Sequence, residues 1–404
     1  MAGSVPGYTP RSTYDFSSRY APADNASPGL RSPGVLKTGG ETIKRRNFIG
    51  GLGSGAALAA CTPQTETQSD TRLAERFTWK MVTTWPPNFP GQGTGANKLA
   101  RYIGELSGGR LTVEVYGAGE LVPALEVFDV VSQGAAELGH GTAYYWRGKT
   151  EASQFFASIP FGMNAHEMNA WLYYGGGLEL WREVYEPFNL LPFPAGNTGV
   201  QMGGWFNKSI DSMEDLRGLK MRLPGIGGEV LRRAGGTPVV LPVAEIFTAL
   251  QTGSIDATEW VGPYNDLALG LNKAASYYYY PGWQEPGPTI ECMVNLDAWA
   301  TLPEDLQAIV RIASQAINVD MISEFMAHNA AALAELTQDD SLQILKFPDS
   351  VLAELKALSL EVIEELAAED DTVARVWASY RTFMENSRSW QEISEQAYLD
   401  TRAL

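Results

Sequence analysis

From Phe77 onward the apolar positions switch repeatedly between two periods, and the switches predict alternating strands and helices. Phe77–Thr83 reads as a strand. Ala96, Leu99, Ile103 and Leu106 then recur at helical spacing until Gly108 and Gly109 stop the helix. Leu111–Tyr116 is the next strand, and residues 124–136 the next helix, with Leu125, Phe128 and Val131 on one face. Strand, helix, strand, helix with Gly-rich breaks predicts a parallel α/β sheet. Residues 144–191 are aromatic and mostly helical in pattern, with a loop at 155–162. A second alternating unit follows: a helix at 227–234, a strand at 238–241, a helix at 244–252 and a turn into residues 257–260. Tyr277–Tyr280 and Thr289–Asn295 read as strands, and from Pro303 long amphipathic helices run to the end, broken near residues 344–347.

Between the two units lies GVQMGGWFNKSIDSMEDLRGLKMRLPG, residues 199–225. It reads as a β-hairpin-like unit: a strand at 200–207, a polar turn with an acidic helical cap at 211–216, Gly218, and a strand ending at Arg222. Gln201 and Arg222 stand among apolar strand residues. Because strand residues two apart share a face, Met221 and Leu223 lie opposite Arg222. Its guanidinium must find an anion or water on its own face, and that anion is either a protein carboxylate or a ligand.

The 404 residues exceed the size at which single cores stop growing, so two domains are expected. Hydrophobic residues at 45% can fill such cores, and no apolar run reaches the roughly 18 residues that span a bilayer. Seven Lys/Arg and three Asp/Glu precede residue 61, which leaves 23 basic and 44 acidic side chains, a formal −21, on the rest. Such a surface repels nucleic acid, and an anion site within it must rest on a local cation. Two cysteines, Cys61 and Cys292, and three scattered histidines make neither a zinc site nor a serine-type triad.

Lys44-Arg45-Arg46-Asn47-Phe48-Ile49 precedes a short Gly/Ala-rich apolar run ending Leu58-Ala59-Ala60-Cys61. This resembles a twin-arginine export signal followed by a lipobox whose Cys61 is acylated, which implies a lipid-anchored periplasmic protein. Residues 1–43, rich in Ser, Pro and Gly, are read as a disordered leader, with the true start expected closer to Arg45; residues 61–76 read as a tether.

MEDLRGLKMRLPG, followed by AEIFTALQTGSIDATEWVGP and then GWQEPG, resembles the extracytoplasmic solute-binding proteins of TRAP transporters, the DctP family. WKMVTTWPPNFPGQGTG and TEWVGPYND are similar to the branch that binds 2-oxo acids. The resemblance covers nearly everything from Phe77 on. It implies an α/β, two-domain periplasmic-binding-protein-like (type II) fold with crossing strands, a long linking helix and a helical C-terminus. Domain I would comprise residues 77–200 and about 289–320, domain II 201–288, and the helical C-terminal region 321–404. It implies capture of a small monocarboxylate, a 2-oxo or hydroxy acid, for TRAP membrane permease subunits.

By that resemblance Arg222 clamps the ligand carboxylate, for which a planar fork of donors is suited. The alternative is a structural ion pair. Gln201, Glu259 and the Trp260 carbonyl would hold a cation beside the substrate. These are hard oxygens that suit Na⁺ or Ca²⁺, although Glu259 could also simply pair with Arg222. Among Trp85, Tyr144, Tyr145, Trp205 and Trp283 as candidate cleft walls, Tyr145 and Trp85 are favoured as substrate contacts. Asn207 and Glu285 are further cleft candidates, Glu285 also as a hinge residue. The stripe Val373, Val376, Trp377, Tyr380 and Phe383 is either an arm for a homodimer or a helix packed on its own domain. The rival functions are an exported enzyme, disfavoured by the lack of a cofactor motif, and a receptor coupled to a sensor.

Overall fold

The computed structural model describes residues 75–404. The expected leader, export signal, Cys61 and most of the tether lie outside the described residues. The first unit runs β1 (Phe77–Thr83), α1 (Gln92–Leu106), β2 (Leu111–Tyr116), α2 (Val127–Ser132) and β3 (Leu138–Gly141). Then come α3 (Gln154–Ala157), α4 (Ala165–Tyr174), α5 (Gly177–Tyr185) and β4 (Leu190–Asn197). The second unit holds β5 (Gly204–Phe206), β6 (Lys220–Arg222), α6 (Gly225–Arg233), β7 (Thr237–Val239), α7 (Val243–Gln251), β8 (Ala257–Thr258), α8 (Pro263–Leu269) and β9 (Tyr277–Tyr280). The remainder is β10 (Thr289–Asn295), α9 (Leu296–Thr301), α10 (Glu304–Leu336), β11 (Gln343–Lys346), α11 (Asp349–Glu369), α12 (Asp371–Ile393) and α13 (Glu395–Arg402).

The strands form two sheets, ordered β2-β1-β3-β10-β4 and β11-β9-β5-β8-β6-β7. In the first, β1, β2 and β3 are parallel as expected, but β10 runs antiparallel to both β3 and β4. Strand β4, with Pro192 and Pro194, carries no strand signal in the sequence. It sits at the sheet edge, the position where a residue without an N–H is tolerated.

The expected hairpin does not form. Strands β5 and β6 do not pair with each other; β8 lies between them, antiparallel to β5 and parallel to β6. Only Gly204–Phe206 of the first expected strand is paired, so Gln201 lies in the extended segment ahead of it. That segment carries the chain from the first sheet to the second, and residues 281–288 carry it back. The two crossings run side by side: Thr198 N donates to Pro288 O (3.4 Å), Gln201 N to Glu285 O (3.2 Å) and Gly282 N to Gln201 O (2.9 Å). A Cβ at Gly282 would stand 2.3 Å from the Gln201 carbonyl oxygen, so this approach requires glycine.

The aromatic stretch of the first unit is core. Phe156 is stacked between Trp171 and Trp181 at centroid separations of 5.7 and 5.3 Å, and Tyr380 of α12 closes on Trp171 at 5.1 Å. The C-terminal stripe is therefore spent within its own chain. Val373, Val376, Trp377 and Tyr380 are buried, and Tyr380 Oη accepts from Met163 N at 2.7 Å. The boundary expected near residue 320 falls inside the unbroken 33-residue α10. The break at 344–347 is a strand, β11, which adds to the second sheet beside β9.

Candidate functional site

Arg222 ends β6, and Glu259 follows β8, the strand parallel to it, so both side chains emerge at the carboxyl ends of adjacent parallel strands. Arg222 Nη1 bonds a Glu259 carboxylate oxygen and also the Glu259 carbonyl (3.2 Å). The first sheet answers from the facing side: the turn after β3 delivers Tyr145, whose hydroxyl accepts from Arg222 Nη2 at 3.2 Å. Trp260 lies over the guanidinium, 5.0 Å from Cζ to ring centroid, and Trp85, at the end of β1, meets Trp260 edge-on at 6.3 Å.

The crossing strands complete the cluster. Met202 N donates to Val261 O at 2.9 Å, which sets Gln201 beside the Glu259–Trp260 turn. Gln201 Nε2 donates to Glu285 Oε2 (2.9 Å) and to Thr198 Oγ1 (3.3 Å), and the Tyr144 hydroxyl donates to the same Glu285 oxygen at 3.4 Å. Arg222, Glu259, Gln201 and Glu285 are each less than 5% exposed. Grooves along α6, α11 and α12 are lined by other residues.

Several of these buried polar atoms have no hydrogen-bond partner: Arg222 Nε, Glu259 Oε2, Gln201 Oε1 and Trp260 Nε1. Unpartnered polar atoms cost about 1–3 kcal/mol each, so four in one cluster mark it as unusual. Burial pushes the Glu259 carboxyl up to about 7, against the pull of Arg222. Burial, and then the nearby Glu259 charge, push Glu285 well above the carboxylate range. Desolvation opposes the charge on Arg222, but Glu259 and the two tyrosines hold its pKa above the ordinary arginine value. Burial raises the Tyr145 hydroxyl to about 12, so it is a neutral hydroxyl in this setting.

The structure thus brings together Arg222, Gln201, Glu259, Trp260, Tyr145, Trp85 and Glu285. Asn207 is a correction: β5 runs antiparallel to β8, so the chain moves away from Glu259, and Asn207 ends exposed with its N–H on Asp256 O. Trp205 is likewise core, stacked on Tyr278 at 4.0 Å. Sequence reading missed Thr198, and it missed His140, whose Nδ1 accepts from Trp85 Nε1 at 2.9 Å. Burial lowers the His140 pKa to about 4 and keeps it a neutral acceptor. No local pattern announces either residue, since their partners lie on other elements.

The model of the bacterial extracellular solute-binding protein family 7, DctP, matches residues 81–370. The monocarboxylate 2-oxoacid-binding periplasmic protein of Nostoc sp. is 44% identical over 342 residues, covering 85% of this chain and 93% of its own. A TRAP periplasmic solute-binding protein from Colwellia psychrerythraea, solved with bound calcium and pyruvate, superposes with a TM-score of 0.79 at 44% identity, over 81% of this chain and 100% of that one. One from Pseudoalteromonas atlantica, with bound sodium and pyruvate, has a TM-score of 0.79 at 44% identity over 81% of this chain and 99% of its own. The chain belongs to the bacterial extracellular solute-binding protein family 7, the periplasmic substrate-binding receptors of TRAP transporters, and not to an enzyme family.

Proposed function

We propose that the crossing-strand cluster captures a small 2-oxo monocarboxylate of the pyruvate type together with Na⁺ or Ca²⁺, for transfer to the TRAP permease subunits. One observation carries the reading: the unpartnered atoms of the cluster are complementary to those two guests. The Nε–Nη2 edge of Arg222 is the pair that grips a carboxylate side-on. Its Nε–H is unpaired, and Nη2 is engaged only by Tyr145. Glu259 Oε2 and Gln201 Oε1 are buried oxygens without donors, which fits a hard cation. When bound, the cation supplies the positive charge that lets a second carboxylate sit beside Glu259. Arg222 then meets both of its anions, the protein's and the ligand's, so the ion-pair and ligand readings of this residue hold together.

Tyr145 orients the guanidinium through Nη2, and the Trp85–Trp260 pair forms an apolar wall that excludes water. The relatives with pyruvate and calcium or sodium support the same guests. The side-by-side crossings suit a hinge between two lobes, one per sheet. Twin-arginine export, acylation of Cys61 and a homodimer belong to the same proposal. Mass spectrometry of the mature N-terminus and analytical ultracentrifugation test them; an unmodified mature N-terminus or a monomer removes the corresponding part.

The test is a thermal-shift screen with pyruvate, longer 2-oxo acids, lactate and dicarboxylates, each with Na⁺, Ca²⁺ or chelator. At a hundredfold excess over Kd a ligand adds about 2.7 kcal/mol to the native state. A cation-dependent shift with pyruvate is expected. A shift with dicarboxylates alone, or none with any acid, overturns the proposal.

A further inference from the structure

Resting on the two-lobe reading above, we propose that Tyr264, at the start of α8, is a positioning residue that clasps the second lobe onto the first. It sets how long the ligand stays without touching it. The long helix α10 is held from two sides. On one side, Asp320 and Glu324 each take Lys98 Nζ of α1 at 2.7 Å, and Glu324 Oε1 also accepts from Gly91 N, just ahead of α1, at 3.2 Å. Further along α10, Asn329 Oδ1 accepts from Tyr264 N at 2.9 Å, and a Cβ on Gly262 would stand 3.2 Å from that same oxygen. Helix α1 packs on β2 of the first sheet, and α8 follows β8 of the second. Helix α10 thus serves both lobes, which is why no boundary interrupts it.

Two bonds cross between these attachments. The Tyr264 hydroxyl donates to Glu324 Oε1 at 3.2 Å, and Asn265 Nδ2 donates to Pro90 O at 3.0 Å. Rotation of the second lobe about the crossing strands carries α8 away from α1, so both bonds break on opening. Glu324 stays behind, because an ion pair and a main-chain donor fasten it to the α1 side, whereas Tyr264 offers it one neutral hydroxyl. Bonds to an ionised acceptor are the stronger kind, and the Glu324 side chain is only 12% exposed, so water competes poorly. The tyrosine ring is already aimed: it stacks on His328 at 4.7 Å and meets Phe325 edge-on at 6.1 Å. The clasp therefore acts in the closed arrangement alone, and it holds the helix that directly follows the Glu259–Trp260 turn. Deleting the hydroxyl destabilises the closed state and leaves the open state as it was.

The experiment is stopped-flow tryptophan fluorescence on the full chain with pyruvate and Ca²⁺. Tyr264→Phe removes the hydroxyl and keeps the ring. Its koff is expected to rise about three- to tenfold while kon stays within about twofold, since encounter precedes closure. A second readout needs no ligand. Spin labels at Leu121→Cys and Val240→Cys, exposed positions following β2 and β7, report the distance between the lobes. A Cys61→Ser background leaves only these two sites to label, because Cys292 is buried. Tyr264→Phe is expected to shift the ligand-free distribution towards longer distances. Unchanged koff overturns the inference even if the melting temperature falls, because a merely structural hydroxyl would move the melting temperature alone. If wild type binds no pyruvate, the proposed function fails by itself and the clasp is judged on the distances: identical distributions in wild type and Tyr264→Phe overturn it, and a longer one in the variant supports it.

Discussion

Two carboxylates are buried within a few residues of each other, Glu259 just after β8 and Asp266 in α8, and their surroundings could hardly differ more. Asp266 is saturated: Oδ2 accepts from Trp205 Nε1 at 2.9 Å and from the Tyr278 hydroxyl at 2.7 Å, and Oδ1 from Val261 N at 3.4 Å. Glu259 has one oxygen on Arg222 and the other on nothing. Burial raises both, Asp266 to about 6 and Glu259 to about 7. Equal burial therefore does not mark a binding site. The difference lies in saturation: a finished hydrogen-bond set holds the turn between the second sheet and α8, and an unfinished one is poised for guests.

The largest expected effect comes from Arg222→Ala, which strands Glu259 and removes the carboxylate fork. Breaking one partner of a buried pair costs on the order of 3–5 kcal/mol, so pyruvate affinity by calorimetry should fall more than a hundredfold. Arg222→Lys keeps the charge but loses the fork and should cost well over tenfold; unchanged affinity would remove Arg222 from the site.

A crossed pair of variants sharpens the contrast. Asp266→Asn should lose roughly 1–3 kcal/mol in urea denaturation and keep its cation-dependent shift. Glu259→Gln should abolish the cation response and, because it leaves the buried Arg222 without its carboxylate, should cost stability as well. Both variants behaving alike would erase the distinction.

The pH dependence is the next test. The folded Asp266 pKa, about 6, lies above its usual 3.8. Its stability contribution is therefore full below pH 3.8 and is lost as pH rises through 6, because the unfolded chain has already released its proton. Wild type should lose up to about 1.4 kcal/mol per pH unit from this group in that window, and Asp266→Asn should lack that slope. His140, lowered to about 4, works in the opposite direction, losing stability as pH falls from 6.5 towards 4. It cancels when the two proteins are subtracted.

The smallest effect expected is that of Tyr145→Phe. It deletes one hydroxyl on Nη2 and should weaken pyruvate two- to tenfold, about 0.5–1.5 kcal/mol, with Ca²⁺ dependence intact. A loss as large as that of Arg222→Lys would mean that Tyr145 does more than orient the guanidinium.

Much of the molecule was legible along the chain. The alternation of periods marked β1, α1, β2 and the run from α6 to α7, since each of these carries its own apolar pattern or its own Gly and Pro stops. Arg222 stood out as a charge in an apolar strand, and the resemblance pointed to Gln201, Glu259 and Trp260, which the fold does assemble in one cluster. The hairpin was misread for a physical reason. Strand β8 is only Ala257–Thr258, too short for any period to show, and its insertion between β5 and β6 is a pairing over more than thirty residues of chain. Strand β4 was hidden by prolines that only an edge position permits. Which polar groups were satisfied could be decided only in three dimensions. Glu259 and Asp266 are both acidic residues of one short motif, TEWVGPYND, and what separates them is whether the donors of Trp205, Tyr278 and Val261 arrive. The same holds for Glu285, which meets Gln201 only because two crossing strands run side by side. Local pattern determined the elements and the chemistry they carry; long-range pairing decided which groups were completed by the protein and which were left for a guest.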